Sequence, residues 1–188
     1  KVFYSHMHAD QTHGINDLRS FFIINKKPIN VFSDQATSKH LLETFSYCFT
    51  NNNKQYPATL RLNQIKTNLF VKDKSKIIKI KPIAVKHGNV ESICFIIDKK
   101  LAYISDVSHI YDKDFKYFTN LKYLIIDCLW FKKHPSHFNL EKSLEMIKLF
   151  SPKKSILTNL HTDIDYDEIK KILPRNIIPA YDGLTLNL

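Results

Sequence analysis

Near the start of this 188-residue chain, the stretch His6-Met-His8-Ala-Asp10-Gln11-Thr-His13-Gly14 sets imidazoles and a carboxylate two residues apart. On extended backbone that spacing sends His6 and His8 to one side, so both can reach a single cation, while Asp10 lies one step further, free to meet a second. Borderline divalent metals favour such mixed nitrogen and oxygen donors. More donors recur down the chain: His87 before Gly88, Asp106 after Tyr103-Ile-Ser105, His134 and His137 around Pro135-Ser136, and His161 after Leu157-Thr-Asn159. Taken singly, His87 or His161 reads as an ordinary structural side chain. The shared position of these donors, just after an apolar run, is what describes a site, because strand ends on one edge of an α/β sheet converge.

The elements that must position these groups follow from hydrophobic period. Residues 1–5 read as a strand that opens onto a loop over 6–14, after which Ile15, Leu18, Phe21 and Phe22 recur at helical spacing. A strand at 29–32 and a helix from about 33 to 49 follow, then a polar, Asn-rich loop at 50–57 that could act as a flap. Alternation predicts a strand at 76–85 and a buried apolar run predicts another at 92–97; a turn at 98–100, a strand at 101–105, a short amphipathic segment from Tyr111 and a strand at 121–126 follow. A helix at 140–150, a strand at 155–159, a helix at 166–173 and a strand at 177–180 close the chain as a βαβα unit. The alternation predicts an α/β domain of layered sheets with helices outside, one domain over residues 1–188. Gly14 and Gly88, two of only three glycines in the chain, directly abut histidines, as loops that turn sharply around a ligand require.

Composition narrows the function classes. The chain is 44% hydrophobic and 24% charged, which excludes wholesale disorder. Its apolar runs, such as Ile93-Cys-Phe-Ile-Ile97, stop far short of the roughly 20 residues that span a bilayer. The formal charge of +10 invites a nucleic-acid reading, but Arg19, Arg61 and Arg175 are the only arginines. The excess is dispersed lysine, whereas nucleic-acid sites also favour the planar arginine fork, so nucleic acid is not the favoured partner. Cys48, Cys94 and Cys128 are odd in number and widely spaced, which argues against a disulfide framework and for a reducing cytoplasm.

The sequence resembles the metallo-β-lactamase-fold hydrolases, and within them the phosphoribosyl 1,2-cyclic phosphate phosphodiesterases. The resemblance runs in order over essentially the whole chain: His6-x-His8-x-Asp10, Gly14-Ile-Asn-Asp17-Leu-Arg19, Lys86-His87-Gly88, Ser105-Asp106, His134-Pro-Ser-His137, Thr158-Asn-Leu-His161 and Ala180-Tyr-Asp-Gly183. It implies an αββα sandwich and two divalent ions, zinc or manganese. His6, His8 and His87 would hold one ion, Asp10 and His161 the second, with Asp106 bridging the pair. Two departures stand out. Where the family carries a histidine after the aspartate this chain has Gln11, a poorer donor, so either the second site is weak or His13 replaces it. The preceding strands and glycine-rich segment of the family are also absent, which leads us to expect a truncated N-terminus.

The implied chemistry is hydrolysis by a water activated between two metal ions, most naturally of a small cyclic phosphodiester. The departing alkoxide needs a proton, and His137, with His134 as the alternative, is the available imidazole; together with Asp106 these form the expected catalytic set. Asp127, Asp17 and Arg19 are candidates to orient metal ligands, and Lys132 and Lys133 could meet a phosphate. Three rivals share the metal set: a ribonuclease of the transfer-RNA 3′-processing type, which would need an RNA-clamping arm not evident here; a thiolester or lactam hydrolase, which needs no acid; and a non-catalytic member. The expected partner is a small phosphodiester rather than a membrane, and the reading allows a homodimer.

Overall fold

In the computed structural model, which describes residues 1–50, 53, 55–73 and 76–188, the chain divides into two compact units, Lys1–Thr67 and Asn68–Leu188. Among the described residues no helix is long and apolar enough to cross a membrane.

The first unit is built on a three-stranded parallel sheet of β1 (Val2–Phe3), β2 (Ile29–Ser33) and β3 (Leu60–Gln64), in that order. Val2 pairs with Val31 and Ile29 with Leu60. The ladder continues one step past β1, where the Tyr4 N–H donates to Phe32 O at 2.9 Å, so the chain reaches Ser5 and His6 still held against the sheet. Val31, Leu41, Leu60 and Ile15 form the core with Tyr4, Phe45 and Cys48.

Between the strands lie α1 (Ala9–Thr12), a 3₁₀ turn (His13–Asp17), α2 (Leu18–Asn25), α3 (Gln35–Thr44) and α4 (Ser46–Phe49). Asp34 starts α3 by accepting from the Thr37 N–H at 2.8 Å, the capping that offsets an orphan donor at a helix start.

Several local expectations change. The loop expected over 6–14 winds into α1 and the 3₁₀ turn. Of the apolar series after it only Ile15 is buried, Phe21 being 57% exposed. The helix expected over 33–49 breaks at Phe45, whose backbone leaves helical geometry (φ −123°, ψ 34°) as its ring enters the core. The 50–57 loop lies partly outside the described residues, at Asn51, Asn52 and Lys54.

The second unit is a seven-stranded mixed sheet. In space its order is β10 (Ile177–Pro179), β9 (Lys154–Thr158), β8 (Tyr123–Asp127), β7 (Leu101–Ile104), β6 (Val90–Ile97), β5 (Lys76–His87) and β4 (Leu69–Asp73). β4 to β7 pair antiparallel and β7 to β10 parallel. Because β6 is antiparallel to both neighbours, β5 runs the same way as β7, β8 and β9. Their C-terminal ends therefore share one edge, and His87, Ser105-Asp106, Asp127 and Asn159 all fall on it.

The hairpin strands β5 and β6 match the strands read in the sequence, whereas β3 and β4 carry too short and polar a pattern to be read from it. α5 (Leu140–Phe150) follows β8, capped by Asn139 accepting from the Lys142 N–H, and α6 (Tyr166–Ile172) is capped by Asp165. Phe118 and Phe150, both fully buried, stack with ring centroids 5.3 Å apart, in a core shared with Ile104, Leu124 and Ile126.

Candidate active site

In the first unit the His-x-His motif follows directly on the held end of β1. His6 is buried and His8 exposed, with ring centroids 4.6 Å apart and His6 Nε2 3.0 Å from His8 Nδ1. Donor counting assigns the chain of bonds around them. Ser5 Oγ donates to Gln11 Oε1 at 3.3 Å, so the 3.1 Å contact of Ser5 Oγ with His6 Nδ1 is donated by the ring. His6 Nε2 then carries a lone pair toward His8 Nδ1. Two imidazole nitrogens bound to one tetrahedral ion at about 2.05 Å stand about 3.3 Å apart, close to the spacing observed, so the pair fits a shared cation.

Asp10, at the start of α1, accepts from Gln11 Nε2 at 2.9 Å. Partial burial pushes its carboxyl up, but the Gln11 amide, its own backbone N–H and the His6 and His8 imidazoles outweigh burial and hold it below the ordinary aspartate value. Gln11 therefore ties Ser5 to Asp10 through both ends of its amide. His13 packs edge-on against Phe45, ring centroids 5.7 Å apart.

The second unit brings His87, Asp106 and His137 together: one ligand atom from each lies within 4.8 Å of the others. His87, buried at the end of β5, donates Nδ1–H to Ser136 O at 2.6 Å, which fixes the tautomer with the Nε2 lone pair available, as a metal-ligating histidine requires. The next residue, Gly88, has φ +58°, and a Cβ there would meet Ser136 Cβ at 2.9 Å. The glycine is thus needed both for its backbone and for the close approach of the 136 loop.

Asp106 is 3% exposed. Its Oδ1 accepts from Asn159 Nδ2 at 3.4 Å, while Oδ2, also buried, has no hydrogen-bond partner among the described residues. A buried carboxylate oxygen without a donor is costly unless a cation meets it. This orphaned atom beside two histidines fits a divalent ion.

His137 is held by Asp127, whose Oδ2 accepts from its Nδ1–H at 2.9 Å and from the Val107 N–H at 3.0 Å. Asp127 is fully buried at the end of β8; burial raises its pKa, partly offset by the bond to His137. The rings of His137 and His87 lie 4.7 Å apart.

Asn159 went unrecognised in the sequence. Held at φ +62° just after β9, it aims Nδ2 at Asp127 Oδ1 (3.2 Å) as well as Asp106 Oδ1, tying the two carboxylates together. The one sequence signal was its type, since asparagine tolerates left-handed backbone better than most residues.

The remaining expected residues are not part of this donor group, although the His134 ring lies 5.2 Å from that of His137. His134 is exposed, its Nδ1 accepting from the Ser136 N–H at 3.3 Å. His161 is exposed as well, with Nδ1 accepting from the Asp163 N–H at 3.1 Å and its ring 5.3 Å from that of Trp130. Asp17 and Arg19 lie in the first unit, where Arg19 sits over the Tyr56 ring at 5.8 Å. Lys132 lies over Trp130 at 5.1 Å.

The sequence profile of the beta-lactamase superfamily domain matches residues 1–159. The chain belongs to this superfamily and has the metallo-β-lactamase fold, the scaffold of metal-dependent hydrolases. Among solved structures, the chain is similar to a crystal structure of a new diphosphatase from the PhnP family. That structure is 26% identical, with a TM-score of 0.85, over 99% of this chain and 70% of its own. The short form of human tRNase Z shares the fold at 15% identity and a TM-score of 0.67, over 98% of this chain and 77% of its own. A curated relative, an octanoyltransferase of Porphyromonas gingivalis, is 27% identical over 97% of this chain. The chain spans 37% of that relative's length.

Proposed function

We propose that this chain is a metal-dependent phosphodiesterase acting on a small, cyclic phosphodiester. The observation that carries the reading is the buried Asp106 carboxylate, with its unpartnered Oδ2 beside His87 and His137. The donors proposed for the metals are those the family resemblance implies: His6, His8 and His87 for one ion, Asp10 and His161 for a second, and Asp106 for both. Bound divalent ions, zinc or manganese, would lower the pKa of water toward neutrality and draw charge from a phosphoryl oxygen.

The chain's own residues supply the rest. Asp127 holds the Nδ1 side of His137, so Nε2 is the atom that would pass a proton to the departing alkoxide. Asn159 fixes the spacing of the Asp127 and Asp106 carboxylates, and His134, on the same loop as His137 but exposed, is the alternative donor. The similarity to the PhnP-family diphosphatase supports phosphorus chemistry. The three buried free thiols support a reducing, cytoplasmic setting.

The similarity to an octanoyltransferase favours a second reading, thiolester hydrolysis, in which the leaving thiolate needs no acid. Metal analysis of the purified protein, run beside hydrolysis of bis(p-nitrophenyl) phosphate and an S-octanoyl thiolester, separates the two. Bound metal with phosphodiester turnover is the expected result. Thiolester turnover alone transfers the assignment to the second reading, and a metal-free, inert protein overturns both.

A further inference from the structure

The opposite end of the seven-stranded sheet carries a cavity of about 840 Å³ that the proposed chemistry does not use. It lies between the first half of β5, the β6–β7 turn and the segment before β8. Lys81, on its wall, is six residues from His87 along one strand, roughly 20 Å at strand rise. Four lysines line it, Lys79, Lys81, Lys99 and Lys116, against one carboxylate, Asp98.

That carboxylate is turned onto the backbone: Asp98 Oδ1 accepts from the Lys79 N–H at 2.8 Å, and the Asp98 N–H donates back to Lys79 O at 2.8 Å. The exchange fixes the turn, and Asp98 and Lys99 both adopt positive φ. Among the described residues, none of the four ammonium groups has an ion-pair partner, although the surface elsewhere pairs Lys142 with Glu145 and Lys171 with Glu168. Lys81 and Lys116 are drawn over the same ring, 4.4 Å and 5.2 Å from the centroid of Tyr117. The ring's quadrupole favours each cation and holds it at the cavity wall.

We infer that this cavity is a binding site for a compact oligophosphate anion. Converging ammonium groups suit phosphate oxygens as point charges, and the volume is that of a small-molecule site. A nucleic-acid strand fits less well: the cavity has no arginine, and the face of Tyr117, its aromatic ring, is taken up by lysines rather than open for a base to stack on. The same coverage means that a nucleotide would be held by its phosphate chain alone.

Calorimetric titration of the full chain with tripolyphosphate tests this. The expected result is saturable binding that weakens about tenfold in Lys81→Gln/Lys116→Gln and survives in Lys81→Arg/Lys116→Arg, which keeps the charge. Lys170→Gln/Lys171→Gln, an equal charge loss on α6, and Asp106→Asn should leave the affinity unchanged, and ATP should bind no tighter than tripolyphosphate. The inference is overturned by absent binding, by equal weakening in both glutamine pairs, by loss in Asp106→Asn, by tenfold tighter ATP, or by displacement of tripolyphosphate by a tighter-binding oligoribonucleotide.

Discussion

The two ends of the seven-stranded sheet use charge in opposite ways. At the C-terminal edge, Asp106, Asp127, His87 and His137 are withdrawn from solvent and tied to one another and to backbone groups within about a hydrogen bond's reach. At the other edge, lysines stand around an open cavity with a single carboxylate among them. Buried charge must be matched atom by atom, because each unmatched group costs the fold several kcal/mol. Exposed charge can be left unmatched, because water screens it. A substitution at the first edge should therefore act on chemistry through geometry, and one at the second only through the local potential.

The sharpest way to break this contrast is Asp106→Asn. An amide cannot supply the negative charge that a cation pair needs, so turnover should fall about 10³-fold and bound metal should drop, with circular dichroism unchanged. Near wild-type turnover would reduce Asp106 to a structural residue. His137→Ala should cost roughly 10²-fold on a phosphodiester with a poor alkyl leaving group and much less on bis(p-nitrophenyl) phosphate, whose leaving group departs unprotonated. An equal loss on both substrates would remove His137 from the acid role.

Gly88→Ala sharpens the comparison from the backbone side. The left-handed φ and the contact with Ser136 should together lower stability by about 1–3 kcal/mol, seen as a melting point lower by ~3–10 °C. Hydrolysis should weaken in step, because the 136 loop is displaced. The smallest effect is expected at the far edge: Lys81→Gln should leave phosphodiester turnover within about twofold of wild type in steady-state kinetics, and a larger change would mean the two edges are not independent.

Much of this second-unit edge was legible in the sequence, because the apolar runs before Asp106, Asp127 and Asn159 have strand period and each ends on a polar residue. The matched β5–β6 hairpin and the caps of α5 and α6 were equally open to reading. What stayed hidden depends on contacts between distant residues. Nothing in Thr158-Asn-Leu-His161 shows that Asn159 reaches two carboxylates on neighbouring strands while His161 turns toward Trp130. Nothing in Pro135-Ser136 shows that a carbonyl there will set the tautomer of His87. β3 and β4 were missed for a simpler reason, since five residues with polar neighbours give too little alternation to distinguish a strand from a loop. The break at Phe45 is tertiary in origin: local propensity favours one long helix, and burying the ring decides otherwise.

One peptide segment links two tasks that are usually considered separately. The Ser136 carbonyl accepts a hydrogen bond from the His87 ring, and the very next residue, His137, is locked to Asp127. Ordering this segment once would order both the proposed metal donor and the proposed proton donor, so the entropy of preorganisation would be shared between them. The two should also fail together: a fluctuation that frees the 136 carbonyl releases the His87 tautomer and swings His137 off its carboxylate in the same motion. Activity lost through local opening would then vanish as a single cooperative step, with no state in which the metal is held but the acid is not.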